Sequence, residues 1–412
     1  MTDPLSPSSE ENQPSNINSK GHSEHKIIIA GGGIGGLSAA LALSQRGINV
    51  ALIEREDGFR EVGAGIQLSP NANHVLRELG VLPELETHIG VVDSVRIYSA
   101  RTGAIISTIP LGQTIAERHG APYHVAHRAD LHSVLLQACL SDPNIQIRLG
   151  STIADAVADE DGITVEFNTA DGLASQRGSA LIGADGVRSV VRRRILRLPA
   201  AAFSGKVAYR TTIATDQVPN EIRSSTGLWL GSNAHVVHYP IRQGRELNIV
   251  AIVDEDWEED GWSSPGNRQA VLDRFADWPE NIQDLLGKPR RWLKWALFGM
   301  DAGGIWSEGR ISVLGDAAHA MLPFVAQGGA MAIEDGWVLA KHVSEISDIP
   351  SALRAYEEER RARVDKVAAT AFENGRIYHL SGLTARARDM TMRMMSAERL
   401  LGRYDWLYGW KP

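Results

Sequence analysis

The stretch IIIAGGGIGGLSAALALSQRGINVALIERE, from Ile27 to Glu56, decides the fold. Its first apolar run predicts a buried strand over Lys26–Ala30, and the apolar residues from Ile34 to Arg46 recur at helical spacing. Gly47 is a natural helix terminator, and Asn49–Ile53 is predicted as a second strand. A strand, a glycine turn, a helix and a strand in this order are typical of a dinucleotide-binding unit.

The glycines of this turn fit the pattern G-x-G-x-x-G at Gly31, Gly33 and Gly36. In that pattern the first glycine permits a tight turn, the second lets a pyrophosphate approach the backbone, and the third lets the helix pack closely on the sheet. The helix N-terminus supplies free N–H groups for the phosphates. We therefore expect Gly31, Gly33, Ile34, Gly35 and Gly36 to bind the cofactor.

Glu54 ends the second strand, 18 positions after Gly36. A carboxylate at this distance can accept hydrogen bonds from a ribose, so we predict that Glu54 and the adjacent Arg55 contribute to the cofactor site. The alternative is a structural turn without a ligand. The motif alone does not distinguish NAD from FAD.

Composition limits the class of protein. The chain has 412 residues, enough for one large or two interlocked domains, and a formal net charge of −8 without a long basic run, so nucleic acid is not an expected partner. Cys139 is the single cysteine, which favours a reducing compartment and a cytoplasmic location. No apolar stretch reaches the roughly 20 residues of a membrane span. Residues 1–25 are predicted to be a disordered tail. We expect no metal site, and a monomer or homodimer.

Two later segments determine the cofactor. ALIGADGVRSVVRR (Ala180–Arg193) is an apolar strand followed by a Gly-Ala-Asp-Gly turn, and Gly309–Gly336 contains a strand, a Gly-Asp turn and a Gly-Gly step into a helix near Gln327. Together with the glycine turn, they make the sequence resemble the single-component flavoprotein aromatic hydroxylases, which have the para-hydroxybenzoate hydroxylase fold. The resemblance covers about Lys26 to Pro412.

The resemblance implies FAD as cofactor and NADH or NADPH as co-substrate, without a separate nicotinamide domain. Asp185 and Gly186 are then expected near the pyrophosphate, and Asp316 at the ribityl chain. Gly65, in the loop Gly63–Ala72, is expected over the flavin face. Arg128, at the start of a helix that begins RADL, is expected at the phosphates or the ribityl chain; alternatively it is a surface ion-pair partner. Gln327, Gly328 and Gly329 are expected to direct backbone N–H groups at the flavin ring.

The predicted fold is α/β: a Rossmann-type FAD-binding domain with an inserted β-sheet substrate domain and C-terminal helices. The FAD-binding domain is assigned to residues 26–75, 100–190 and 300–345. The substrate domain is assigned to residues 76–99 and 191–299, where β-branched and aromatic runs alternate with turns. Residues 346–412 are predicted to be helical. Within them, the charged segment Ser351–Arg376 is expected to be a solvated or subunit-contact helix.

A candidate base lies in NAHVVHYPIRQG (Asn233–Gly244). On a strand, His235 and Tyr239 point to one face and His238 to the other. The stretch resembles the His-x-x-x-Tyr-Pro element of salicylate, 3-hydroxybenzoate and 6-hydroxynicotinate hydroxylases. The resemblance implies that His235 removes the proton of the ring hydroxyl and that Tyr239 positions the substrate. The alternative is a structural histidine, which is common in strands.

The resemblance implies a monooxygenase that hydroxylates a small aromatic substrate, a phenol or hydroxypyridine carboxylate, with O2 activated as a flavin C4a-hydroperoxide. Pro323, followed by Phe324, stands where some relatives carry a polar substrate contact, which favours a salicylate-like or pyridine-like substrate. Salicylate-type chemistry implies loss of CO2 if the attacked carbon carries the carboxylate. The alternatives are 3-hydroxybenzoate and 6-hydroxynicotinate. Arg210 is a candidate contact for the carboxylate or, alternatively, between domains. Two other functions stay open: a flavin reductase that does not hydroxylate, and a FAD-binding redox sensor.

Overall fold

The computed structural model describes residues 26–58, 65–259, 261–300 and 304–412. The predicted tail and Gly63 lie outside these ranges. The strands are β1 (Lys26–Ala30), β2 (Asn49–Ile53), β3 (Gly65–Leu68), β4 (Gly90–Val91), β5 (Ser94–Ser99), β6 (Ile105–Pro110), β7 (His124–His127), β8 (Ile145–Arg148), β9 (Thr152–Ala158), β10 (Ile163–Thr169), β11 (Gly172–Gly178), β12 (Ala180–Gly183), β13 (Ala202–Ala214), β14 (Ser225–Gly231), β15 (Ala234–Ile241), β16 (Glu246–Asp254), β17 (Ser263–Gly266), β18 (Trp292–Gly299), β19 (Ser307–Glu308) and β20 (Ile311–Val313).

The α-helices are α1 (Ile34–Ser44), α2 (Pro70–Glu78), α3 (Leu82–Glu86), α4 (Gly112–His119), α5 (Arg128–Leu140), α6 (Asn220–Arg223), α7 (Arg268–Arg274), α8 (Glu280–Gly287), α9 (Asp316–His319), α10 (Gly328–Glu345), α11 (Ile349–Tyr378), α12 (Gly382–Met394), α13 (Ala397–Gly402) and α14 (Asp405–Tyr408). Shorter helical turns span Val191–Ile195, Thr215–Gln217 and Pro323–Val325. In the described part of the chain, no helix combines the length and the apolar character that crossing a bilayer requires.

A six-stranded sheet carries the glycine turn. Its order is β19-β20-β12-β1-β2-β8, and all neighbours pair in parallel except β19. The apolar strand β1 is buried between β2 and β12, and α1 packs against α10 so closely that a Cβ on Gly336 would lie 2.7 Å from the nitrogen of Ala39. Three distant segments of the chain therefore build one sheet, and the predicted α/β class is confirmed.

An eight-stranded sheet forms the second layer, in the order β17-β18-β13-β16-β15-β14-β5-β6. One of its faces packs against α7 and α8, where Val236 joins residues of both helices in an apolar core. The strand β15 alternates as predicted: Val236 points into this core, whereas His235, Val237 and Tyr239 line a cavity on the other face. The sheet thus supplies one wall of that cavity.

The strand β6 does not follow the sequence-based division into domains. That division assigns residues 100–190 to the FAD-binding domain. Within that range, β6 pairs with β5 at the edge of the eight-stranded sheet. A short turn joins the two strands, and such a hairpin keeps neighbouring strands in one sheet. The rest of the division stays a prediction.

The charged helix α11 is not simply solvated. A stripe of its residues is buried at helical spacing: Tyr356, Arg360, Val364, Val367 and Ala371. The expectation of a solvated helix was therefore wrong for this face. The composition misled because Arg360, which is 1% exposed, contacts buried carboxylates on α10 instead of water.

Candidate active site

The glycine turn contains both tightly packed and open positions. Gly31 has a φ of +106°, and a Cβ on Gly36 would lie 2.0 Å from the carbonyl oxygen of Gly31. Ile34 is buried, and Gly35 packs against the side chain of Leu314. A Cβ on Gly33, by contrast, would meet no atom of the described residues within 4 Å. The turn thus leaves space for a ligand beside the N-terminus of α1, where a pyrophosphate fits.

Glu54 lies at the edge of this turn. Its Oε2 accepts a hydrogen bond from the backbone N–H of Gly32 at 2.7 Å, and its Oε1 accepts one from the N–H of Glu56 at 3.0 Å. These bonds hold the carboxylate beside the glycine turn, where the sequence analysis expects a ribose. Arg55 is more exposed and pairs with Glu56.

Asp185 lies against the first glycine, because a Cβ on Gly31 would be 3.0 Å from the Cα of Asp185. Its Oδ2 accepts hydrogen bonds from the N–H groups of Val190 and Val191 at 2.6 and 3.1 Å. Burial raises the pKa of Asp185, and Oδ1 is buried without a partner among the described residues. Gly186 has a φ of +75°, which favours glycine in this turn.

The first turn of α10 lies beside Asp316, since a Cβ on Gly328 would be 4.0 Å from Oδ1 of that residue. Gly328 and Gly329 line a cavity together with Asp316, which is the first residue of α9. Gln327 precedes the helix but does not line this cavity: its side chain is buried and bonds to Ser69 at 2.8 Å and to Asn71 at 3.1 Å. Any contact from Gln327 to the cofactor would therefore come from its backbone.

This cavity has a volume of about 300 Å³ and joins the two layers. It brings together predicted cofactor and substrate residues that are far apart in the sequence: Gly65, Arg128, Arg210, His235, Tyr239, Asp316, Pro323, Gly328 and Gly329. An adjoining apolar cavity of about 160 Å³ shares Gln67, His235, Val237, Pro323 and Ala326 with it. Phe324 lines only the second of these two cavities, and its ring packs on His235 with centroids 5.2 Å apart.

Both predicted catalytic side chains are neutral near pH 7, His235 because its pKa is lowered and Tyr239 because its pKa is raised. Burial, His379 and Lys206 hold the pKa of His235 well below its usual value, so its imidazole is neutral near pH 7. Burial raises the pKa of Tyr239 to about 12, which keeps its hydroxyl protonated. The ring of Tyr239 packs on the backbone of Gly65, since a Cβ there would be 2.4 Å from the ring.

Arg210 places a positive charge in the same cavity. Its guanidinium lies over the ring of Trp295 at 4.7 Å, and its Nε is buried without a hydrogen-bond partner among the described residues. Burial lowers the pKa of Arg210, but a guanidinium keeps its proton in proteins. A buried N–H without a partner costs free energy, so this position favours an anionic or acceptor group.

Sequence reasoning missed three groups that support the site. His379 bonds to His235, Gln67 lines both cavities, and Asn71 connects Gln327 with Glu334. Gln67 and Asn71 lie in the loop Gly63–Ala72, which was singled out for its glycines, whereas His379 lies in no motif. The bond from His235 to His379 joins positions 144 apart, so no spacing pattern could reveal it.

Comparison with known proteins identifies the family. The sequence pattern of the FAD binding domain family matches residues 24–371. The chain is 35% identical to a 3-hydroxybenzoate 6-hydroxylase of Polaromonas naphthalenivorans (strain CJ2) over 93% of this chain and 96% of that protein. It is 37% identical to a 3-amino-4-hydroxybenzoate 2-monooxygenase of Streptomyces platensis over 94% of this chain and 96% of that protein.

A solved structure agrees with these relatives. A salicylate hydroxylase in complex with substrate superposes with a TM-score of 0.80 at 26% identity, over 94% of this chain and 96% of that one. The residues described above fit FAD: the open position at Gly33 and the carboxylate of Asp316 follow the carboxyl ends of β1 and β20, which run parallel in the cofactor sheet, and the first turn of α10 lines a cavity with Asp316. The chain therefore belongs to the FAD binding domain family and, within it, to the single-component FAD-dependent aromatic-ring hydroxylases.

Proposed function

We propose that this monooxygenase hydroxylates a phenol or hydroxypyridine that carries a carboxylate, with NAD(P)H and O2 as co-substrates, in the cytoplasm. One observation carries the proposal. His235, Tyr239 and Arg210 line the same cavity as the predicted cofactor residues Asp316 and Gly328. The cavity therefore offers a base, a hydroxyl donor and a cation beside the cofactor site.

His235 is the proposed base. A neutral imidazole can accept the proton of the ring hydroxyl, and the resulting phenolate is a more electron-rich ring. Bound FAD, once reduced by NAD(P)H, supplies the activated oxygen that this ring attacks. The burial of His235 and its contact with Phe324 limit the access of bulk solvent to this proton transfer.

Tyr239 and Arg210 are proposed to position the substrate. Because the pKa of Tyr239 is raised to about 12, its hydroxyl can donate a hydrogen bond to substrate but cannot act as a base near pH 7. Arg210 can hold the carboxylate, since a guanidinium offers several N–H donors in one plane and its buried Nε lacks a partner among the described residues. The two residues would thus hold different groups of the substrate.

We favour a salicylate-type substrate, because Pro323 provides no hydrogen-bond donor at the shared wall of the two cavities. If the attacked carbon bears the carboxylate, CO2 leaves. The second candidate is a 3-hydroxybenzoate-type reaction, and the name of one of the two relatives, a 3-hydroxybenzoate 6-hydroxylase, favours it. A hydroxypyridine such as 6-hydroxynicotinate is a third candidate.

A substrate panel tests the proposal. The FAD-loaded enzyme is assayed for NADH and NADPH oxidation with salicylate, 3-hydroxybenzoate, 4-hydroxybenzoate, 6-hydroxynicotinate and benzoate. We expect one of the four compounds with a ring hydroxyl to accelerate the oxidation. Benzoate should give no hydroxylated product, because it has no ring hydroxyl whose proton the base could remove. Hydroxylation of benzoate at the same rate would contradict the proposed base.

Two matched variants test the base itself. His235→Leu should retain FAD and lose about 10²–10⁴-fold in hydroxylation rate, with partial recovery at high pH where the phenol ionises unaided. His238→Leu changes a histidine on the opposite face of the same strand, so turnover near pH 8 should stay close to wild type. Near-normal hydroxylation by the His235 variant would remove this residue from the mechanism.

A further inference from the structure

His235 is the inner end of a chain of hydrogen bonds. Its Nδ1 lies 2.9 Å from Nε2 of His379, and Nδ1 of His379 lies 3.0 Å from Oδ1 of Asp254. The three residues come from different elements: His235 from β15, His379 from the end of α11, and Asp254 from the end of β16. The backbone also fixes them, because the N–H of Asn233 donates to the carbonyl of His379.

This series of hydrogen bonds runs from the interior of the protein towards the surface. His235 is 2% exposed and His379 is 8% exposed, whereas the side chain of Asp254 is 39% exposed. His235 lines the cavity that joins the two layers. His379 and Asp254 line a different cavity, of about 710 Å³, together with Lys206. The pair of histidines therefore connects the substrate side of the sheet with a second opening.

The hydrogen bonds select the tautomers of both rings. Nδ1 of His379 lies 3.0 Å from the carboxylate of Asp254 and 3.4 Å from the ammonium of Lys206, which itself pairs with Asp254. The nearer carboxylate only accepts, so Nδ1 of His379 carries the proton and Nε2 of His379 has the lone pair. That lone pair accepts the N–H at Nδ1 of His235. Nε2 of His235 is then unprotonated, which is the state that a base requires. An aspartate far from the cavity thus determines which nitrogen of His235 can accept a proton.

The surroundings keep the two rings neutral. The rings of Phe324 and Tyr378 pack on His235, with centroids 5.2 and 5.5 Å away. Burial and Lys206 lower the pKa of His379 to about 4, with Asp254 opposing them and Arg274 of α7 adding to the decrease. Lys206 itself pairs with Asp254. Neither imidazole therefore holds an additional proton near pH 7.

We propose that His379 and Asp254 form a relay that carries the substrate's hydroxyl proton from His235 to solvent. The proposal rests on the proposed function, in which His235 is the base. Nε2 of His235 takes the proton from the ring oxygen, Nδ1 of His235 passes its own proton to Nε2 of His379, and Nδ1 of His379 releases one to Asp254 or to water there. When a proton from solvent returns to Nδ1 of His379, the same transfers run in reverse: Nε2 of His379 gives its proton to Nδ1 of His235, and Nε2 of His235 gives its proton to the product oxygen, which restores both tautomers. His379 and Asp254 act through His235 and are positioning residues.

Stopped-flow measurement of proton release tests the relay. FAD-loaded enzyme is mixed with the best substrate of the panel in weak buffer containing a pH-indicator dye, without NADH, so that only binding and ionisation are observed. His379→Gln and Asp254→Asn should slow proton release by about 10- to 100-fold, while the amount of substrate bound stays similar. The control is His342→Gln, which breaks a histidine–carboxylate pair with Glu359 that lines none of the cavities described above.

Chemical rescue separates a relay from a merely structural role. His379→Ala opens the imidazole position to the 710 Å³ cavity. Added imidazole should restore proton release, whereas pyrazole, which has a similar shape but is a much weaker base, should not. Equal rescue by both compounds would show that His379 only fills space and would overturn the inference.

The outcomes distinguish this inference from the proposed function. If wild type releases a proton and hydroxylates the substrate but His379→Gln releases it equally fast, the relay is refuted and the base survives. If wild type hydroxylates no member of the panel, the proposed function fails first. Slow release that imidazole rescues in His379→Ala would support the relay.

Discussion

Arg360 offers the sharpest test of how α10, the helix whose first turn lines the proposed cofactor site, is held in place. Its Nη1 lies 2.6 Å from Oε2 of Glu334 and its Nε lies 2.7 Å from Oδ1 of Asp335, both on α10. Asp335 in turn accepts the N–H of Gly315, in the turn that leads to Asp316. Burial alone would raise the pKa of Asp335, but His319 and Arg360 offset this and lower it to about 2. Arg360→Met would thus leave two buried carboxylates with too little positive charge.

The expected loss in the free energy of unfolding follows from this geometry. Breaking one side of a buried ion pair costs about 3–5 kcal/mol. The lower end applies here, because Arg363 still contacts Glu334 at 2.7 Å. For 412 residues, an unfolding entropy of about 2.1 cal/mol/K per residue makes 1 kcal/mol equal to roughly 1.2 °C, so a loss of about 3 kcal/mol in Arg360→Met should lower Tm by about 4 °C.

The assay is thermal unfolding of the FAD-loaded enzyme, followed by the fluorescence of released flavin. The matched control is Arg361→Met, one position along α11, which removes an ion pair with Glu357 nearer the surface. A partly exposed pair is worth about 0–1 kcal/mol, so the control should shift Tm by no more than about 1 °C. Equal shifts in both variants would refute the reasoning that the buried network holds α10.

Further predictions concern the glycine turn and His238. Gly33→Ala should leave the stability of the apoprotein unchanged but weaken FAD binding, because its Cβ would enter the open position; Gly36→Ala should destabilise the apoprotein itself, since its Cβ would lie 2.0 Å from a carbonyl oxygen. Flavin titration together with apoprotein melting separates the two, and equal behaviour would contradict the assignment. Burial lowers the pKa of His238 to about 4, so only the unfolded chain takes up its proton between about pH 6.5 and 4, and stability falls as pH falls. At pH 5 this costs about 2 kcal/mol relative to pH 8, and denaturant unfolding of His238→Leu should lack that part of the decrease.

The sequence predicts the local parts of this molecule well. The strand, turn, helix and strand around Gly31 form as predicted, because hydrophobic period and glycine conformation act over a few residues. The helix α1 ends at Ser44 instead of Arg46, within the usual uncertainty of helix ends. The alternation of β15 also follows, since a strand has a fixed period of two.

Long-range pairings could not be predicted. His379 follows a helix whose charged composition suggests solvent, and only the folded chain brings it beside His235. Arg360 is one of several arginines in α11, and nothing in its neighbours marks it as the buried one.

The most direct test of the central claim uses O2 labelled with heavy oxygen. The FAD-loaded enzyme oxidises NADH in this gas with each member of the panel, and products are weighed by mass spectrometry. We predict that one phenolic or hydroxypyridine carboxylate gains a single labelled oxygen in proportion to the NADH consumed. Oxidation of NADH that yields only hydrogen peroxide, with no labelled product from any ring, would contradict the account.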